Sequence, residues 1–132
     1  WATYTDPEIA HVGMYEADAK AQGIALDTYT APFDDVHRAI AEGEEEGFVK
    51  IHCRRGTDEI VGATIVASHA GEMISEITTC IVHGIGLGKI ASVIHPYPTQ
   101  AEAIKKCAGL YKRTKLTPRV AGLIKKWLSF SR

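Results

Sequence analysis

Apolar and polar positions alternate most regularly near the middle of the chain, over residues 48–53 and 60–67, and both stretches are rich in β-branched side chains. The segment Arg54-Arg55-Gly56-Thr57-Asp58-Glu59 between them is polar, contains a glycine and has the length of a hairpin loop, so the two stretches predict paired antiparallel strands. Residues 1–13 read as extended chain interrupted at Asp6-Pro7, because the residue before a proline is biased away from helix. Residues 25–30 alternate as a further strand. The period changes over residues 71–83, where Met73, Ile74, Ile77, Cys80 and Ile81 recur at helical spacing and Gly84 supplies the stop. Two shorter helices are predicted, over residues 15–22 with a Glu16/Lys20 pair and over residues 33–41 with Val36 and Ile40 four apart.

Two more helices follow. Thr99-Gln100-Ala101-Glu102 has the spacing of a capping box, in which the threonine hydroxyl accepts an N–H of the first turn and the glutamate reaches back to the Thr99 N–H. Thr117-Pro118 then opens a stretch with Val120, Leu123, Ile124, Trp127 and Leu128 on one side. The order strand, helix, strand, helix, hairpin, helix, helix defines an α+β domain: a mainly antiparallel β-sheet with helices packed on one side.

With 132 residues the chain makes one domain, and its 45% hydrophobic content suits a globular fold. It opens on Trp1 with no initiator methionine, as a domain taken from a longer chain would, and it shows no secretory signal pattern. Three cysteines, Cys53, Cys80 and Cys107, are an odd number without a C-x-x-C pair, which predicts a reducing, cytoplasmic setting and no disulfide framework. Cys80 and His83 could share a helical face, but two ligands do not make a zinc site.

The formal net charge of -1 conceals a polarity. Asp34, Asp35, Glu42, Glu44, Glu45 and Glu46 lie in one acidic stretch, whereas no acidic residue follows Glu102 and Lys105, Lys106, Lys112, Arg113, Lys115, Arg119, Lys125, Lys126 and Arg132 do. Without interleaved aromatics or a recognised motif, this basic end does not predict nucleic-acid binding. Contact with a membrane surface is the minor alternative. The expectation is packing of an amphipathic stripe on a protein surface.

Gly84-Ile85-Gly86-Leu87-Gly88-Lys89 resembles a phosphate loop only in part: His83 stands where the first P-loop glycine belongs, and Ile90 follows the lysine. It reads as a flexible connection between helices. Of the histidines, His11, His37, His52 and His69 read as surface or internally satisfied residues, while His95 stands in His95-Pro96-Tyr97-Pro98-Thr99, where two prolines stiffen the lead into a helix. Such a segment is either a structural turn or a rigid display of reactive side chains.

The motifs Tyr4-Thr5-Asp6-Pro7-Glu8-Ile9-Ala10-His11-Val12-Gly13, Ile60-Val61-Gly62-Ala63-Thr64, Ala70-Gly71-Glu72-Met73-Ile74 and His95-Pro96-Tyr97-Pro98-Thr99-Gln100-Ala101-Glu102 occur in that order. In them the chain resembles the C-terminal dimerisation domain of the pyridine nucleotide-disulfide oxidoreductases, the family of dihydrolipoamide dehydrogenase, glutathione reductase and mercuric reductase. The resemblance covers residues 1–114 and leaves residues 115–132 as a basic amphipathic extension. It implies a homodimeric parent with upstream FAD and NAD(P) domains, in which the His-Pro-Tyr-Pro-Thr loop enters the partner subunit's active site. Tyr97, His95 and Glu102 are then the candidate catalytic residues. No cofactor is expected on this domain alone, which is expected to be inactive.

Family members that exchange thiols carry histidine at the position of Tyr97 and a glutamate five residues later, here Glu102. A phenol, with an ordinary pKa near ~10, cannot relay protons near neutrality as an imidazole can. Tyrosine at this place resembles mercuric reductase, whose substrate is a metal ion, although the C-terminal vicinal cysteines of that enzyme are absent from this chain.

Overall fold

The computed structural model describes residues 1–117 and residue 122. Five strands, β1 (Ala2–Thr3), β2 (Glu8–Gly13), β3 (Leu26–Pro32), β4 (Phe48–Arg54) and β5 (Ile60–Ala67), form one sheet in the order β1-β2-β5-β4-β3, antiparallel throughout. The predicted hairpin is its centre, with Val49 opposite Ile65 and Ile51 opposite Ala63.

Alternation decides the two faces. Ala10, Ile65, Val49 and Ala31 line up across four strands and are buried, as is the core they form with Ile51, Ala63 and Tyr29. The opposite face carries His11, Thr64, Lys50 and Thr30 in one row. Helix α3 (Ala70–Val82) crosses β2 and β5 on the apolar face, and α5 (Glu102–Lys115) lies over β3 and β4. Met73, Ile74, Ile77 and Cys80 of α3, and Ala103, Ile104, Cys107 and Ala108 of α5, point into the core at helical spacing. Complete burial of an isoleucine such as Ile77 or Ile104 stabilises by about 1.5–3 kcal/mol. The short α1 (Glu16–Ala21) sits at the other face, where Glu16 turns to Lys50 and His52 at 3.9 and 4.0 Å instead of pairing with Lys20.

Three expectations are corrected. The helix predicted over residues 33–41 is broken: Phe33–Asp35 form one 3-10 turn and His37–Glu42 form α2, with the extended Val36 between them. Phe33, Val36 and Ala39 are fully buried, three apart, and with the inward position taken by Ala39 the Ile40 side chain is left 46% exposed instead of sharing Val36's face. The capping box at Thr99 is half made. Its N–H donates to Glu102 at 3.3 Å, but its hydroxyl donates to the Pro96 carbonyl at 2.8 Å, and α5 starts three residues later than predicted.

The third correction concerns the glycine-rich stretch, which is no loose connection. It contains a further helical turn, α4 (Leu87–Ile90), whose Leu87 and Ile90 are buried against α5. A Cβ at Gly86 would stand 2.2 Å from the Asp58 carboxylate, and one at Gly88 would stand 2.9 Å from it. These glycines make room for that carboxylate, which accepts the Gly88 N–H at 3.3 Å, while the Asp58 carbonyl accepts the Leu87 N–H at 2.8 Å. The amphipathic stretch expected after Thr117-Pro118, including Val120, Leu123, Ile124, Trp127 and Leu128, lies outside the described residues. The boundary placed after Thr114 falls in the last turn of α5.

Candidate functional site: the His95–Thr99 loop

The segment joining α4 to α5 has no regular structure and bends at Tyr97 and Pro98; the rings of Pro96 and Pro98 fix their φ, and the Tyr97–Pro98 peptide is cis. Side-chain bonds hold it to three helices. His95 is turned inward with its side chain 6% exposed, and its Nε2 lies 2.9 Å from the Glu76 carboxylate on α3. Its Nδ1 is buried with no hydrogen-bond partner among the described residues. Beyond it, Tyr97 projects outward, 69% exposed, with its hydroxyl 3.1 Å from Nδ1 of His37 on α2 and the two rings edge-on at 5.8 Å. Glu102, in the first turn of α5, holds the Thr99 amide.

Behind the loop, Gln100 is almost fully buried. Its amide donates to Glu44 at 2.8 Å and Glu42 at 3.2 Å, and its carbonyl accepts the Ser68 hydroxyl at 2.9 Å. The Ser68 and Gln100 bonds, in that order of size, hold the Glu44 carboxyl below the usual carboxylate range. Part of the acidic stretch thus anchors the start of α5.

The three candidate residues therefore share one loop and helix start but face different partners. Among the described residues no hydrogen bond or ion pair joins Tyr97, His95 and Glu102 to one another. Glu76, His37 and Gln100 are the site residues that sequence reading missed. Nothing local signals them, since their partners lie 19 to 60 residues away. The other histidines fit their reading: His11 and His52 are buried and bonded to Thr64 and Thr28, while His69 is exposed. Burial lowers the pKa of His52. The thiols face the core, and burial pushes Cys53 and Cys107 up to about 12 and raises Cys80, while His83 is exposed at the end of α3.

On the apolar side of the same loop, Val93 and Ile94 are 48% and 89% exposed beside a cleft of about 420 Å³ that Glu76, Thr79 and Ile85 help to line. Val82, at the end of α3, is 71% exposed. Exposed aliphatic side chains beside a cleft are a feature of surfaces that meet another protein.

A five-stranded antiparallel sheet with two long helices on its apolar face defines an α+β domain. Residues 1–108 match the family model described as the pyridine nucleotide-disulphide oxidoreductase dimerisation domain, and the chain belongs to that family. It is 39% identical over 103 residues to mitochondrial dihydrolipoyl dehydrogenase of Caenorhabditis elegans, covering 78% of this chain and 21% of that one. It is 39% identical over 106 residues to mercuric reductase of Streptomyces lividans, covering 80% and 22%. Among solved structures, LpdA of Mycobacterium tuberculosis superposes with a TM-score of 0.79 at 32% identity, over 84% of this chain and 24% of LpdA. The flavoprotein disulfide reductase RclA of Escherichia coli shares the fold, with a TM-score of 0.78 at 22% identity over 83% of this chain and 25% of RclA. The chain spans about a fifth of the length of the curated relatives it matches.

A flavin or nicotinamide dinucleotide does not fit the glycine-rich stretch of this domain. Asp58 fills the space that its glycines open, and a carboxylate there repels a phosphate.

Proposed function

We propose that this domain pairs with a second copy of itself in a longer FAD- and NAD(P)H-dependent oxidoreductase and carries the His95–Thr99 loop to the partner subunit's active site. The observation that carries the reading is Tyr97: a large side chain, 69% exposed, on a loop bonded to α2, α3 and α5. Ordering a tyrosine at the tip of a braced loop is useful when something else receives it. In this reading Tyr97 is the group that touches substrate, as hydrogen-bond donor or metal-ion contact. His95 and Glu102 are positioning residues that fix its backbone. FAD, NAD(P) and any redox disulfide belong to the upstream domains, so the 132-residue chain alone neither binds flavin nor turns over. The buried thiols suit a reducing, cytoplasmic setting.

The absence of an imidazole at position 97 argues for an electron acceptor that needs no thiol base, of the kind mercuric reductase handles. Val82, Val93 and Ile94 supply the apolar contact with the second copy. Light scattering of the chain at high micromolar concentration should give twice the monomer mass, and Ile94→Glu should shift it toward monomer with an unchanged circular dichroism spectrum. A strict monomer, or stoichiometric flavin uptake by the chain, overturns the reading.

A further inference from the structure

The loop lacks an imidazole of its own at position 97, yet one stands against it. His37 opens α2, sixty residues earlier, and its Nδ1 is 3.1 Å from the Tyr97 hydroxyl, inside hydrogen-bond range. The edge-on contact of the rings at 5.8 Å and 85° fixes the direction of approach. Both side chains are exposed, so the third side of the phenol oxygen is open to whatever the loop meets.

We propose that Tyr97 and His37 form a proton-transfer couple, in which the phenol touches the substrate and the imidazole takes up or returns its proton. The proposal rests on the reading of the loop as a donated active-site element. In the neutral imidazole, Nδ1 accepts the phenolic O–H and Nε2 carries the ring hydrogen; when the ring is protonated, Nδ1–H donates to the phenol oxygen and the phenolic proton turns outward. The loop thus presents an acceptor when His37 is neutral and a donor when it is charged, and unlike a lone phenol it has a base beside it to take the phenolic proton.

The charges around His37 leave this exchange open. Asp35, in the preceding 3-10 turn, is held by Lys106 of α5 at 2.8 Å with Arg113 nearby, and the neighbouring Arg38 is paired with Glu42. No carboxylate is recorded within ion-pairing distance of the His37 ring among the described residues.

The test uses acetylation of the 132-residue chain by N-acetylimidazole, read by peptide mass spectrometry. The acetyl group is transferred to the Tyr97 oxygen as the phenolic proton passes to His37 Nδ1; the departing imidazolide takes a proton from water and leaves as imidazole, and the His37 imidazolium returns its proton to solvent. Tyr4 is the internal control, 80% exposed and with no imidazole recorded at its hydroxyl. Tyr97 should react about tenfold faster than Tyr4, less than the hundredfold and more that a positioned base supplies in a closed site. That advantage should disappear in His37→Gln. Nitrogen-15 NMR of the neutral imidazole should show Nδ1 as the unprotonated, hydrogen-bonded nitrogen, and Tyr97→Phe should remove that signature. Equal rates at Tyr97 and Tyr4, or a protonated Nδ1 in the neutral ring, overturn the couple. A monomeric chain that kept the fast Tyr97 would instead overturn delivery to a partner and leave the couple standing.

Discussion

Removing Glu76 tests whether the loop is held from behind. The His95 side chain is 6% exposed, and its Nε2 has the Glu76 carboxylate at 2.9 Å, while its Nδ1 already lacks a partner. Glu76→Ala leaves the ring buried with neither nitrogen bonded, and an orphaned buried polar group of this kind costs about 1–3 kcal/mol. Alanine recovers a few tenths of a kcal/mol through its helix propensity, so the net loss is about 1–2.5 kcal/mol. The chain's 132 residues carry an unfolding entropy under which each kcal/mol moves the melting temperature by about 3–4 °C, giving a drop of about 4–9 °C. Glu76→Gln keeps an acceptor oxygen and should lose about half as much. Urea unfolding and thermal melts at one protein concentration measure both variants, since self-association also shifts the midpoint. Amide exchange at Tyr97 and Thr99 should quicken in Glu76→Ala while that of β4 and β5 keeps its order. A melting point within about 1 °C of the parent, with unchanged exchange at the loop, would refute the anchoring role.

Gly62→Ala should cost about 3 kcal/mol or prevent soluble expression, because its Cβ would stand 2.1 Å from the Met14 carbonyl oxygen and backbone cannot step aside. Gly84→Ala, in open space at φ +61°, should lose only about 1 kcal/mol, and urea midpoints that failed to separate the two would contradict the packing described. The Glu44 carboxyl, lowered first by Ser68 and then by Gln100, gives a pH dependence of definite sign. Between its folded and ordinary pKa the unfolded chain holds more protons, so its contribution is complete above the ordinary carboxylate range and is lost as pH falls through the folded value. Ser68→Ala should therefore flatten the decline of stability between about pH 5 and pH 3, and parallel curves for variant and parent would exclude this contribution.

What could be read from the chain itself was what depends on near neighbours. The 48–53 and 60–67 hairpin and the helix at 71–83 rest on periodicity, and both appear within a residue or two of their expected ends. The 33–41 helix failed because the positions that reach the core are Phe33, Val36 and Ala39, three apart, whereas the expected face pairs Val36 with Ile40, four apart. Gly84 to Lys89 failed for a related reason, since the side chain that needs Gly86 and Gly88 is Asp58, on another loop. The site divides in the same way. Tyr97, His95 and Glu102 share one motif and were visible together, whereas Glu76, His37 and Gln100 reach it through the fold.

This division bears on what the parent reduces. Identity is 39% to a dihydrolipoyl dehydrogenase and 39% to a mercuric reductase, so overall identity favours neither. The choice rests on the loop. An imidazole at position 97 would carry the base on the loop itself. Here the loop carries a phenol and the imidazole sits one side chain further back on α2, at 3.1 Å. A thiol entering from the partner's side would meet the phenol first and would reach the His37 base only through that hydroxyl, a longer relay than an imidazole at position 97 provides. A metal ion or another acceptor that needs only an oxygen ligand or a single hydrogen-bond donor meets a group suited to it. Tyr97→His in the parent enzyme should therefore raise kcat/KM for a dithiol substrate, and no gain with a dithiol would count against the loop as the element that decides the acceptor.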